Sequence, residues 1–264
     1  CYGFYLFIDN PMRNLIAVSI SVFAFKYLLE RKPIPYFTIV ILAMTFHTSA
    51  CIMIPAYFFM HKDLSTKMIV ILYIIINVVF ANRTLLSVVI SNIFGSIPYV
   101  AGKINSYIES SNEEGAGRVI SLGFIIFFTF FVLLCFYKNQ IYKTKNGKLI
   151  WNGAIIFLLL YRLATTIEVF MRFQLYYMIF FVAGISYLTV FFTERSKKIY
   201  ISYLLGLSVI GSNQIFSTWR YLPYTNYLTY AVKGEFPSYS FRSAYNPNNS
   251  PYKSKNKENK NNEK

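Results

Sequence analysis

The sequence predicts an all-α protein, a polytopic bundle of transmembrane helices with about eight spans. Three observations point there. First, 55% of the 264 residues are hydrophobic and only 14% are charged, whereas soluble domains carry about 25% charged residues. Second, the apolar residues come in blocks, several of them near the ~20 residues that span a bilayer. Third, runs such as residues 69–79 show no in-out alternation, which a membrane β-strand would show over ~10 residues. In hydrocarbon each backbone N–H and C=O must be bonded inside its own segment, so such blocks read as helices.

The apolar blocks cover residues 14–29, 36–60, 64–81, 85–101, 119–137, 149–167, 175–192 and 199–216. Pro55 is placed to kink the second. The fourth holds Asn92, Gly95 and Pro98, which also suits an interfacial or re-entrant segment. Ahead of these blocks, residues 1–8 are apolar but stop at Asp9, Asn10 and Pro11, far short of the ~20 residues of a span. They read as the stub of a longer helix whose upstream part is missing. No basic region precedes them, which disfavours a signal peptide. Residues 1–217 thus form the transmembrane helical domain. Residues 218–252 form an outward, aromatic-rich segment, and residues 253–264 a Lys/Asn-rich tail too polar to bury a core.

The net charge of +15 does not indicate nucleic acid. Many basic residues lie in short connections between apolar blocks, where topology explains them, and the rest crowd the tail. Arg31 and Lys32 follow the first block and Arg83 the third. Lys138, Lys143, Lys145 and Lys148 follow the fifth, and Arg195, Lys197 and Lys198 the seventh. If the helices alternate, these connections share one side, which the positive-inside rule makes cytoplasmic. Arg13, His61, residues 103–118, the turn 168–172 and everything after Phe216 then face outward. The basic tail sits outside on this count, against the rule. The cysteines Cys1, Cys51 and Cys135 lie in or beside apolar stretches without metal-ligand spacing and read as small apolar side chains. No metal or cofactor motif occurs.

Charged groups in or near hydrocarbon cost at least ~2.5 kcal/mol and need a partner or a use. His47 falls roughly at mid-block, at ~1.5 Å of rise per residue, followed by Thr48 and Ser49. It is either bonded to a neighbouring helix or a proton acceptor or hydrogen-bond donor lining an outward cavity. Arg13 stands at the outer start of the first block, where a snorkelling role also fits. Arg162 lies deep in the sixth block and needs an acceptor, because guanidinium keeps its proton. Glu168 and Arg172, four residues apart, pair if the helix continues. Arg118 abuts the fifth block. Trp219, Arg220 and Tyr224 follow the last; such aromatic residues suit the interface or stacking on sugar rings. Arg13, Arg118, Arg172, Arg220 and Arg162 gather on the outer side, where carboxylates are few. This suggests an anionic ligand, and phosphate or pyrophosphate matches the arginine fork.

At these residues the chain resembles the EpsG-like branch of the bacterial membrane polysaccharide polymerases, the Wzy-type enzymes. Met12–Ala17 is similar to the family's Arg-(Gln/Asn)-x-(Ile/Leu)-Ala helix start. Phe46-His47-Thr48-Ser49-Ala50, followed by Pro55-Ala56-Tyr57, is similar to its Phe-His-x-Ser-Ala helix with a Pro-x-Tyr step. Arg172 with Tyr176 and Tyr177 loosely matches a later Arg…Tyr element. The resemblance implies polymerisation of oligosaccharide repeat units carried on undecaprenyl pyrophosphate, giving exopolysaccharide, capsule or O-antigen at the outer face of the bacterial inner membrane. It implies no cofactor; its partners would be the lipid-linked glycan, the bilayer and a chain-length regulator. On that reading His47, Arg13, Arg172 and Glu168 are catalytic, with His47 preferred over Glu168 as base. Arg118, Arg162, Arg220, Tyr176, Trp219 and Tyr224 bind substrate. A lipid-linked oligosaccharide flippase, an O-antigen ligase and an acyltransferase are the alternatives. A flippase is disfavoured by the lack of an internal repeat, and a ligase by the short outer loops.

Overall fold

The computed structural model describes residues 12–81, 88, 92, 121–167, 169–216, 230, 232–234, 238 and 240–241. The chain divides into two compact units, Asn10–Glu194 and, separately, Cys1–Asp9 with Arg195–Lys264. Among the described residues all regular structure is helical. In the first unit it comprises α1 (Met12–Leu29), α2 (Pro33–Phe46), a 3-10 turn (Thr48–Ile52), α3 (Met53–Phe59), α4 (Thr66–Ala81), α5 (Leu122–Phe136), α6 (Lys138–Tyr142), α7 (Gly147–Thr166), α8 (Val169–Leu175) and α9 (Met178–Phe191). The second unit contributes α10 (Glu194–Phe216). One described helix, α7, is long and apolar enough to cross a membrane. The predicted fourth block, the N-terminal stub and the tail lie outside the described residues.

The second apolar block is not a continuous span. It breaks at His47, whose backbone is extended at φ −153 and ψ 123. Proline is not the cause: Pro55 sits in the first turn of α3, where its missing N–H costs little. The polar run His47-Thr48-Ser49 makes the break tolerable by bonding the freed backbone groups. The His47 N–H closes α2 on Ala43 and its carbonyl receives the Ala50 N–H, while Nδ1 faces the Ser49 N–H at 3.2 Å. Beyond the break the chain folds back along α2. The Tyr36 hydroxyl donates to the Met53 carbonyl at 2.6 Å, and Tyr57 packs on Tyr36 and Phe37 with centroids 5.0 and 5.2 Å apart.

α2 and α3 are thus a helical hairpin whose two feet share one end of the unit. His61 Nε2 donates to the Leu28 carbonyl at the end of α1, 2.8 Å away. His61 therefore lies beside the Arg31 turn and not at the opposite end, as alternation would have it. The same end gathers Lys138, which donates to the Leu64 carbonyl, and Lys148, paired to Asp63 at 2.8 Å. From this basic end α4 runs away to the far end, where the Phe80 carbonyl receives the Thr166 hydroxyl at 3.1 Å. The predicted order had the third block returning toward the Arg31 side. The hairpin reverses its sense, since a segment that turns back delivers the chain to the side it left. Arg83, which follows α4, lies outside the described residues.

Asn152 of α7 pins the hairpin foot. Its Nδ2 donates to the carbonyls of Lys62 at 2.8 Å and Met60 at 2.9 Å, with a longer approach to Phe59. Its Oδ1 accepts from the Tyr142 hydroxyl at 2.9 Å. Deeper in the unit, α7 and α9 meet through Gly153: a Cβ there would lie 2.5 Å from the Phe180 ring, so only glycine admits this approach. Phe157 stacks on Phe181 at 4.4 Å and Tyr73 on Phe131 at 3.9 Å. The seventh predicted block, 175–192, holds α9 (Met178–Phe191), while residues 169–172 of the predicted outward turn are helical and belong to α8, which ends at Leu175 and leaves Tyr176 and Tyr177 between the two helices.

Polarity runs from inside outward. Asn14, Ser21, Ser49, Asn152, Arg162, Thr166 and Gln174 are buried, while Phe23, Ile34, Ile41, Ile71, Ile74, Val78, Phe136 and Val190 are exposed. Exposed apolar side chains on this scale mark a surface that meets something other than water.

Replacing Asn152 by Ala is expected to lower stability by about 2–3 kcal/mol, since several buried groups lose partners together; denaturation in detergent reads it. Single cysteines placed at Arg31 and Lys62, in a background without the native cysteines, are expected to react with an impermeant maleimide from the same side. Labelling from opposite sides would show that residues 36–60 cross.

Candidate functional site

The tip of the hairpin, away from the basic end, carries a buried polar cluster. Asn14 comes from the first turn of α1, His47 and Ser49 from the break, and Tyr176 from the α8–α9 junction. Ser49 is its centre. The Ser49 Oγ lies 2.6 Å from His47 Nδ1, 2.9 Å from Asn14 Oδ1 and 3.0 Å from the Tyr176 hydroxyl. Tyr176 also reaches Asn14 Oδ1 at 3.3 Å. Asn14 is fully buried, and Ser49 and Tyr176 are 4% and 1% exposed.

Proton counting orders these contacts. Ser49 has one hydroxyl proton, and Asn14 Oδ1 can only accept. With that oxygen turned to Ser49 and Tyr176, the Ser49 proton goes to Asn14. With the Ser49 N–H donating to Nδ1 at 3.2 Å, the Nδ1 lone pair faces the break; in the other tautomer the 2.6 Å contact takes its proton from Nδ1 and that N–H goes without this acceptor. The latter tautomer leaves the Nε2 lone pair available, and Nε2 has no hydrogen-bond partner among the described residues. A ring held at Nδ1 with Nε2 open can take a proton from a bound hydroxyl.

Arg172 stands on α8, which packs against the 3-10 turn that follows His47. Arg13 precedes Asn14 and its side chain is exposed. The α8–α9 junction is held to the break by Tyr177, which donates to the Ile52 carbonyl at 3.0 Å. It is held to α7 by Gln174, which donates to the Phe157 carbonyl at 3.2 Å. The structure thus brings together His47, Arg172 and Tyr176. Arg162 belongs to a different place, where α4, α5 and α7 meet: it is buried, and its Cζ lies 5.9 Å from the Phe124 ring. Glu168, Arg118, Arg220, Trp219 and Tyr224 lie outside the described residues, so the Glu168–Arg172 pair does too. Sequence reasoning had not assigned Asn14 and Ser49 to the site. Both stand inside the two motifs it used, beside Arg13 and His47, and that adjacency was the available signal. No group of three or more His, Cys, Asp or Glu side chains that could hold a metal occurs among the described residues.

A helical protein with an apolar exterior, a buried polar cluster at a broken helix and arginines beside it has the build of a membrane protein handling a polar, anionic substrate. The EpsG family model matches residues 1–230, and the chain belongs to the EpsG family. It is accordingly a membrane protein of polysaccharide biosynthesis. No curated protein and no solved structure matches it.

If Asn14 and Ser49 work as one unit, their effects on stability will not add. A double-mutant cycle of Asn14→Ala and Ser49→Ala is expected to give a coupling of about 1 kcal/mol in melting experiments. Additive losses would show that the two side chains act independently.

Proposed function

We propose that this chain is a polysaccharide polymerase that joins oligosaccharide repeat units carried on undecaprenyl pyrophosphate at the outer face of a bacterial cytoplasmic membrane. The observation that carries this reading is the His47 ring held through Ser49 and Asn14 at the hairpin tip, with α8, which bears Arg172, packed against the same turn. The basic end, with Arg31, Lys32, Lys138 and Lys148, faces the cytoplasm by the positive-inside rule, so the tip faces outward. α2 has 14 residues, which is about 20 Å of helix against ~30 Å of hydrocarbon. The tip therefore stops short of the outer surface and forms a recessed floor. A lipid-anchored headgroup reaches such a depth without its tail leaving the bilayer.

Cleavage of the anomeric carbon–oxygen bond leaves negative charge on the departing pyrophosphate. Arg172 and Arg13 offer fixed positive charge where it develops, worth about 10²–10³ in rate for a well-placed donor. The acceptor sugar hydroxyl attacks the anomeric carbon and gives its proton to His47 Nε2. The resulting imidazolium keeps its Nδ1–H, which donates to the Ser49 Oγ, and Ser49 in turn donates to Asn14 Oδ1. Tyr176 acts through Ser49 and Asn14 as a positioning residue. On this reading Arg118, Arg220, Trp219, Tyr224 and Glu168 are further candidates for substrate contact, and a chain-length regulator is a partner of the outward face.

Cells whose own copy is replaced by Arg172→Ala or His47→Ala are expected to keep the protein in the membrane and to lose long glycan, with single lipid-linked units accumulating outside. The polymer yield should fall by about a hundredfold or more. Normal chain lengths in both variants, read on glycan gels, would sink the proposal. Accumulation of units inside would indicate transport instead.

A further inference from the structure

Arg162 is 7% exposed, yet it finds no counter-charge among the described residues. Its Nε is buried without a hydrogen-bond partner. The described carboxylates of the first unit sit at or near the basic end, where Glu30 pairs with Lys32 and Asp63 with Lys148, both at 2.8 Å, and Glu194 follows α9. The titratable groups that act on Arg162 are the phenols of Tyr73 and Tyr161, which are neutral at physiological pH. A buried guanidinium without an anion costs several kcal/mol, so its retention asks for a use.

Its surroundings suit an oxyanion. The Arg162 Cζ lies over Phe124 in the first turn of α5, where the helix presents N–H groups and the positive end of its dipole. Ser121 caps that turn by accepting the Phe124 N–H at 3.1 Å. Gly123 has no Cβ, which lets the Tyr161 hydroxyl sit against the same turn. The Arg162 charge, the Tyr161 hydroxyl and the helix N-terminus thus converge from α5 and α7, and the Tyr73 ring of α4 stacks on Phe131 of α5. None of these residues belongs to the His47 cluster, which is built from α1, the hairpin tip and α8. Beside the site, Ile74 and Val78 of α4 and Leu122 and Ile125 of α5 are exposed, giving an apolar chain a surface to lie on.

We propose that Arg162, Tyr73, Tyr161 and the first turn of α5 form a second phosphate-class anion site, which holds a lipid diphosphate headgroup. This rests on the polymerase reading: joining two lipid-linked substrates requires two headgroups to be held at once. The Arg172–His47 cluster takes the diphosphate that leaves, and the Arg162 site takes the one that remains attached.

The test is calorimetric binding of farnesyl diphosphate to the full chain in nanodiscs of zwitterionic lipid, with melting as a control. Wild type is expected to bind two equivalents. Arg162→Met should bind one and melt no lower than wild type in the absence of ligand, because it removes a buried charge that no described residue pairs. The second equivalent should weaken roughly ten- to a hundredfold. Arg172→Met should lose the other equivalent and keep that at Arg162. Two unchanged equivalents in Arg162→Met, or a lowered melting temperature with binding intact, would mean that Arg162 is satisfied within the chain, and the site falls. If Arg172→Met binds like wild type while Arg162→Met loses one equivalent, the Arg162 site stands and the polymerase reading of the other fails. Inorganic pyrophosphate should bind at Arg162 at least about tenfold more weakly than the prenyl form; equal affinity would overturn the assignment to a lipid headgroup.

Discussion

Helices that end in apolar surroundings leave carbonyls without partners, and the fold turns on how these are bonded. The donors come from other helices. His61 serves Leu28 at the end of α1, Tyr177 and Tyr36 serve Ile52 and Met53 at the end of the 3-10 turn, and Asn152 serves Met60 and Lys62 after α3. Thr166 serves Phe80 near the end of α4, and Trp151 serves Leu134 near the end of α5, at 2.7 Å. Each bond contributes only about 1 kcal/mol net. Each also fixes which helix end meets which neighbour, so together they specify the arrangement more than the apolar contacts can.

The hairpin tip places the same demand on the groups proposed to do chemistry. His47 interrupts α2, and its ring is held through Ser49, Asn14 and Tyr176. Those bonds orient the ring, while the backbone of the same residue closes the break through Ala43 and Ala50. Structure and reactivity are therefore not separable at this position: a change that frees the ring also loosens the turn.

Charge is divided along the unit. Glu30 and Asp63 are paired with lysines at the basic end. Arg13, Arg162 and Arg172 stand away from that end, with no ion pair among the described residues. The described acids of this unit that form ion pairs thus gather at one end, and these arginines lie away from it.

Composition and block length were enough to establish a helical membrane protein, because the cost of unbonded backbone in hydrocarbon leaves few other forms. The starts and ends of α1, α4, α5 and α7 fall within a few residues of the apolar blocks for the same reason. The motifs around Arg13 and His47 marked the site, but they named the charged residues and passed over Asn14 and Ser49, whose importance lies in contacts across distant segments. Hydropathy could not reveal the hairpin: residues 36–60 are apolar on both sides of His47, and a run long enough to cross can also turn back. That choice was made by long-range bonds, from His61 to Leu28 and from Asn152 to the hairpin foot. Their partners are far apart in sequence and meet only once the helices have packed.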